Sequence, residues 1–140
     1  MPINFTNIIF DEIIEKLALI INNEFSVPIY YDEHKGNQSF VLTPQSDELV
    51  TYLSSGVQRA YQIEVNYQLK IGGQFTKNNM KQVSNIMERL KRLVYNERTQ
   101  SNGSEWFSAN ISSIEYERDE DDSTLLRGIA IFECQNTEVM

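Results

Sequence analysis

The sequence predicts an α+β domain with a mixed or antiparallel sheet, one very long strand, and two helices packed on one face of the sheet. Three observations support this. Residues 57–71 alternate almost perfectly with a period of two, with Arg59 as the exception on the apolar side. Residues 5–22 and 80–96 carry apolar stripes at helical spacing, and residues 106–134 show a strand–loop–strand pattern. A chain of 140 residues can bury one core, so we expect a single domain over 1–140.

The first predicted element is an amphipathic helix over residues 5–22. Its apolar stripe consists of Ile9, Ile13, Leu17 and Ile20. Asn4 or Thr6 is placed to cap its first turn, because short polar side chains can accept a hydrogen bond from the free N–H groups there. The helix should therefore cover the core with one face and leave its charged face in water.

Short strands should follow this helix. Residues 25–31 are β-prone but contain Pro28, which favours an edge strand. A second short strand is predicted at 39–43, ended by Pro44; a loop should follow, and 49–53 could pair again.

The alternation over 57–71 predicts a half-buried strand about 50 Å long, at about 3.3 Å per residue. Its odd-numbered side is apolar. The residues of its polar side that are candidates for contact with a partner are Gln58, Gln62, Glu64, Asn66 and Gln68. This face could be ordinary solvent-exposed surface, or it could pack against other copies or face a passage.

A second helix is predicted at 80–96, with Thr76 as its cap. Half of the basic residues lie in or beside it: Lys77, Lys81, Arg89, Lys91, Arg92 and Arg98. We expect Arg89, Arg92 and Lys81 to contact acidic residues of a neighbouring copy, since opposite charges on one chain are complementary head to tail. The alternative is a simply solvated helix face.

The C-terminal part predicts a hairpin. Residues 106–116 form its first strand, with a bulge at 112–113 where the alternation slips by one, and 117–122 form a charged loop. Residues 125–134 are apolar on both faces and are expected in the centre of the sheet, followed by a frayed tail at 135–140.

The composition argues against several functions. Twelve basic and 20 acidic residues give a net charge of −8, so binding of DNA through a basic surface is not expected. One cysteine and one histidine allow neither an internal disulfide nor a histidine-rich metal site. No signal peptide or membrane span is apparent, so we expect a cytosolic protein without membrane contact.

Two clusters could carry chemistry. The acidic run 117–122 could bind a metal in a small metal-dependent enzyme, but it lacks the alternating spacing and the central glycine of a cation loop, which favours a solvated turn. His34 beside Asp32 and Glu33 could act as a general base, although side chains in such a turn are usually exposed.

The remaining candidates point away from catalysis. Cys134 lies in a predicted buried strand with no basic neighbour to lower its pKa. Gly72 and Gly73 stand between a strand and a helix but lack the Lys-Ser/Thr signature of a phosphate loop, so they are interpreted as turn residues. We therefore expect no enzymatic activity, no cofactor and no small-molecule substrate.

Several stretches resemble the tail-terminator, or tail-completion, proteins of tailed bacteriophages. They are residues 39–46 (SFVLTPQS), 56–67 (GVQRAYQIEVNY), the helix 79–95, and 106–107 (WF) leading to 114–116 (IEY). The likeness in layout runs from the first helix to the last hairpin. Neck and head-completion proteins of phages share related folds and sizes, and no short motif separates them from tail terminators.

The resemblance implies a structural protein of the virion, assembled in the host cytoplasm and placed at the tail or neck. It implies a homo-oligomeric ring, commonly a hexamer, that caps the tail tube and joins it to the neck. The partners would be other copies of the chain, the tail tube protein and the neck or connector proteins. DNA would pass through the ring without specific binding.

Overall fold

The computed structural model describes residues 2–73, 77–100 and 105–139. Its elements are, in chain order, a π-helical segment (Ile8–Ile14), α1 (Glu15–Glu24), β1 (Ile29–Tyr30), β2 (Gln38–Leu53), β3 (Gly56–Lys70), α2 (Lys77–Asn96), β4 (Phe107–Arg118) and β5 (Leu125–Val139). The π-helical segment runs directly into α1. The predicted α+β class is confirmed.

The five strands form one mixed sheet in the order β1-β2-β3-β5-β4. Only β1 and β2 are parallel; the other neighbours are antiparallel. β5 lies between β3 and β4, which confirms its predicted central place. β3 has a partner strand on both sides along its whole length, so its 15 residues do not overhang the sheet.

The core lies between the helices and one face of the sheet. The buried residues that β3 contributes are Val57, Tyr61, Ile63, Val65 and Tyr67, all from its predicted apolar side. Above β5, the helix α2 approaches so closely that a Cβ on Gly128 would lie 2.8 Å from Cγ of Met87. Met87 and the neighbouring Val83 are completely buried. Glycine at 128 therefore sets the distance between α2 and the sheet.

β2 differs from its prediction. Instead of two short runs separated by a loop, it is one strand of 16 residues. Its pairing with β3 shifts between Pro44 and Ser46 and again between Leu49 and Thr51. A proline is tolerated here because β1 pairs with β2 only at Phe40 and Val41, so the rest of that edge needs no N–H donor. The predicted very long strand is confirmed as β3, and β2 and β5 are of similar length.

The predicted frayed tail was also wrong. β5 continues to Val139, which pairs with Gly56 at the start of β3. A Cβ on Gly56 would overlap the carbonyl oxygen of Glu138, so this pairing requires glycine at the entry to β3. Because β3 extends back to Gly56, it provides hydrogen-bonding partners for the backbone groups of β5 after Cys134, which a shorter β3 would have left unpaired.

The helix ends differ from expectation by a few residues. Asn7, rather than Asn4 or Thr6, caps the first helical segment, and its Oδ1 accepts a hydrogen bond from the Phe10 N–H at 3.2 Å. The helix continues to Glu24. The second predicted cap, Thr76, lies outside the described residues. In β4 the predicted bulge is confirmed by a register shift between Ile111 and Ser113.

Trp106 joins the end of α2 to the sheet. Its side chain is 1% exposed, and its ring centroid lies 5.2 Å from that of Phe132 in β5. The indole N–H donates to the carbonyl oxygen of Glu97, just after α2, at 2.8 Å. The buried indole therefore has its one donor satisfied.

Candidate subunit interface

The residues proposed for subunit contact lie on two separate surfaces. The five polar side chains of β3 project from the side of the sheet opposite the helices, which we call the open face. The other three, Lys81, Arg89 and Arg92, belong to α2 on the covered side. The sheet thus separates them, and the fold does not bring them together into one site.

On the open face, amide side chains bridge neighbouring strands. The Gln58 Nε2 donates to Oε1 of Gln135 in β5, and the Gln62 Nε2 donates to Oε1 of Glu133, both at 2.6 Å. The Ser46 hydroxyl in β2 donates to Oε1 of Gln62 at 3.1 Å. These bonds hold half-buried side chains flat on the sheet. Gln62 is directly opposite both of its partners, whereas Gln58 and Gln135 are diagonal neighbours, and both arrangements bring side chains on one face within reach.

Arg127 anchors the other end of this face. Its Nε donates to Oε1 of Gln68 at 2.9 Å, and its two terminal nitrogens donate to Glu117 at 3.1 Å and to Asp119 at 2.9 Å. Glu64, the remaining candidate on β3, is half-buried on the same face, opposite Thr43 and Ile131.

His34 is part of this face and is half-buried, not exposed as its turn suggested. Its Nδ1 lies 2.7 Å from Oγ of Ser39, and its Nε2 lies 3.0 Å from Oδ1 of Asn66. Burial lowers the pKa of the imidazole, and the charge of Arg127 adds to this; the hydrogen bond to Asn66 acts in the opposite direction. Both ring nitrogens thus tie the loop before β2 to the sheet, and the neighbouring Asp32 pairs with Lys35 instead.

The acidic loop forms a structured turn. Oδ1 of Asp119 accepts the backbone N–H groups of Asp121 and Asp122, both at 2.9 Å, and Oδ1 of Asp122 accepts the backbone N–H of Thr124 at 3.0 Å. Donors to each carboxylate lower its pKa: for Asp119 chiefly the Asp122 N–H and then Arg127, for Asp122 chiefly the Thr124 hydroxyl. Within the described ranges, no group of three acidic, His or Cys side chains could hold a metal ion.

Cys134 is 2% exposed, and burial raises the pKa of its thiol to about 12. The predicted burial of this residue is confirmed. A neutral thiol is a poor nucleophile, so the side chain acts as a small core residue.

The basic face of α2 is divided between contacts within the chain and exposed charges. A terminal nitrogen of Arg89 lies 3.0 Å from Oε1 and 2.7 Å from the backbone oxygen of Glu24, and its guanidinium carbon lies 4.5 Å from the ring centroid of Phe25. Arg89 therefore fastens α2 to the end of α1. Lys81 and Arg92 are exposed.

A groove beside α1 is a surface that the sequence did not single out. Its volume is about 830 Å³. The residues that line it are Asp11, Glu12, Glu15, Lys16, Ala18, Leu19, Asn22, Ile29, Tyr31 and Glu105. Four of them are acidic, and the run Asp11, Glu12, Glu15 was the signal in the sequence that could have indicated it.

Glu12 is a partly buried carboxylate of this groove with a raised pKa. Partial burial raises its pKa, and the negative charges of Glu105 and then Glu138 raise it further, whereas a hydrogen bond with Asn136 acts against them. Asn136 is 2% exposed, and its Nδ2 donates to the backbone oxygen of Glu105 at 2.7 Å. Negative charge is thus concentrated where the first helix meets the end of β5.

No protein-family profile matches the chain, and no curated protein is detectably similar to it in sequence. Among solved structures, the fold is similar to that of a chain in the virion of a native gene transfer agent particle. The TM-score is 0.50 at 9% sequence identity, and the match covers 87% of this chain and 84% of the other. At this identity the likeness shows a shared fold. No helix in the described part of the chain is long and apolar enough to cross a membrane.

Proposed function

We propose that this chain is a non-enzymatic structural protein of a tailed-phage-like virion. In this proposal residues 1–140 act as one unit that forms a homo-oligomeric ring, with six copies as in the tail-terminator family it resembles. The ring terminates the tail tube and joins it to the neck. The observation that carries the proposal is the similarity in fold to a chain of a gene transfer agent virion over most of both chains.

The open face suits the wall of a passage. Its hydrogen-bonded amides are neutral. Among the side chains that the cross-strand pairing places there, the carboxylates Glu48, Glu64, Glu115, Glu117 and Glu133 outnumber the cations Lys70 and Arg127. A surface of this sign does not attract phosphate groups, because attraction requires clustered Lys and Arg. DNA would then pass without being held.

The test is the oligomeric state of the purified protein and its binding to tail tubes. We expect rings with a central opening in negative-stain images, a mass of several copies by light scattering, and binding at one end of isolated tubes. The protein should not retard duplex DNA in a gel at low salt. A strictly monomeric protein at high concentration that also fails to bind tubes would refute the proposal.

The same similarity in fold supports a second candidate, a neck or head-completion protein of such a virion. The two differ in their partner, because a terminator must bind the tail tube protein directly. Binding to isolated connectors but not to tail tubes would favour the second candidate.

A further inference from the structure

The groove beside α1 combines two features that suit contact with another protein. Its acidic side chains Asp11 and Glu15 are exposed and therefore accessible to a partner. Next to them, Leu19 and Tyr31 are 52% and 53% exposed. Apolar side chains framed by charges are typical of an interface in which the charges set the orientation and the apolar groups exclude water.

The outer face of α2 has complementary chemistry. Lys81 and Arg92 are 11 residues apart, close to three helical turns, so they lie on the same side of the helix about 16 Å from each other. Tyr95, one turn beyond Arg92, is 59% exposed. Glu88, exposed on the same side between the two basic residues, is paired with Lys91 at 2.8 Å, so this face keeps an excess of positive charge, opposite in sign to the groove. A helix is a suitable shape to enter the groove.

These two surfaces lie at different places on the same chain. The helical segment beside the groove packs on β2, and the groove extends from Ile29 of β1 to Glu105, next to the start of β4. α2 packs on β5 and β4. Two complementary patches that do not coincide produce a head-to-tail contact, which repeats from copy to copy and closes into a ring when the rotation allows it.

We propose that the outer face of α2 in one copy docks into the α1 groove of the next copy. Arg92 and Lys81 face Asp11 and Glu15, and Tyr95 packs against the apolar part of the groove. The contact relieves the crowding of negative charge around the groove. This inference rests on the proposed ring, for which it names the self-interaction surfaces.

Charge reversal provides the first test. In Arg92→Glu, like charges meet in the contact, and we expect association to weaken by about tenfold or more at low salt. The effect should shrink as salt rises, because exposed charges are screened within about 10 Å at 0.1 M. The double variant Arg92→Glu/Glu15→Arg restores opposite charges and should recover association. Lys70→Glu, which makes a charge reversal at an exposed position at the end of β3, outside the residues of both surfaces, is the matched control and should assemble like the wild type.

Cysteine trapping provides a second test that does not need a stable ring. Leu19→Cys combined with Tyr95→Cys should form disulfide-linked ladders of copies on mild oxidation, because each copy offers one thiol to each neighbour. The control variant is Val50→Cys combined with Tyr95→Cys, whose first thiol lies on the β2–β3 hairpin. It should not form ladders. The native Cys134 is buried and does not compete.

The outcomes separate this inference from the proposed function. Rings that form normally in Arg92→Glu, with no ladder from the Leu19→Cys/Tyr95→Cys variant, would overturn the docking surfaces but leave the ring intact. A wild-type protein that neither forms rings nor binds tail tubes would overturn the proposed function. A ladder confined to the Leu19→Cys/Tyr95→Cys variant supports the docking geometry.

Discussion

Replacing Gly128 by alanine adds one methyl group between α2 and β5, where there is no room for it. That carbon would lie 2.8 Å from Cγ and 2.9 Å from Sδ of Met87, and 3.1 Å from Cγ1 of Val83. Real Cβ atoms do not approach other atoms this closely, and Met87 and Val83 are completely buried, so they cannot swing into solvent. α2 must move outward, or Met87 must adopt a less favourable rotamer.

The expected loss of stability follows from two opposing contributions. Overpacking of a core by one methyl group costs about 1–3 kcal/mol. Removing a glycine from the unfolded chain stabilises the fold by about 0.4–1 kcal/mol, and the backbone of Gly128 is not in the left-handed region, so alanine can take it. The net effect should be a destabilisation of about 1–2 kcal/mol, or a fall in Tm of roughly 3–7 °C for a chain of this length.

Urea unfolding followed by far-UV circular dichroism measures this difference. Gly72→Ala is the matched control, because no atom lies within 4 Å of its Cβ position. It should be as stable as the wild type or slightly more stable. Equal stability of Gly128→Ala and Gly72→Ala would show that the close approach of α2 to the sheet is wrong.

A double-mutant cycle identifies the atom responsible. Met87→Ala alone should cost about 2–5 kcal/mol, because it leaves a cavity. In that background the methyl group of Gly128→Ala enters the vacated space, so its cost should disappear and the two changes should be non-additive by about 1 kcal/mol or more. Additive effects would mean that Met87 is not the obstacle.

Two further predictions concern exposed charges. Arg89→Ala removes the ion pair with Glu24 and the stacking on Phe25 and should cost about 1 kcal/mol in thermal unfolding, whereas Arg89→Lys should retain part of this; no change would mean that Arg89 does not fasten α2 to α1. The lowered pKa of Asp119 means that its contribution to stability is present above its unfolded value near 3.8 and is lost as the pH falls through the lower folded value. Asp119→Asn should therefore reduce Tm at pH 7 but have no effect near pH 2, and Asp121→Asn should behave like the wild type at both; an equal loss at both pH values would contradict the assignment.

Local patterns predicted most of the fold. The alternation in β3 identified its buried side, because one long regular strand keeps the same residues facing the core. The apolar stripe over residues 80–96 likewise predicted α2, which buries Val83 and Met87. The sequence did not predict β2 as one continuous strand, because two register shifts interrupt its alternation. Pro44 also argued against a continuous strand, since proline is tolerated there only because one side of the strand is unpaired. That condition depends on the strand order, which the sequence does not display.

Contacts between distant residues explain what the sequence could not predict in the candidate site. His34 is held by Asn66, 32 positions away, and Arg89 by Glu24, 65 positions away. Position at the end of the sequence predicts a frayed tail at 135–140, but β5 pairs with β3 as far as Val139. The local run Asp11, Glu12 and Glu15 shows only part of the acidic groove, because Glu105 joins it from at least 90 positions away.

The chain carries its own optical reporter. Trp106 is its single tryptophan, and the indole is enclosed between the end of α2 and Phe132. Its emission should lie at short wavelength in the native state and shift to the red when α2 separates from the sheet and water reaches the ring. The docking surfaces proposed for self-association do not include this residue. Fluorescence can therefore follow unfolding of a subunit while light scattering follows assembly in the same sample, without any added label.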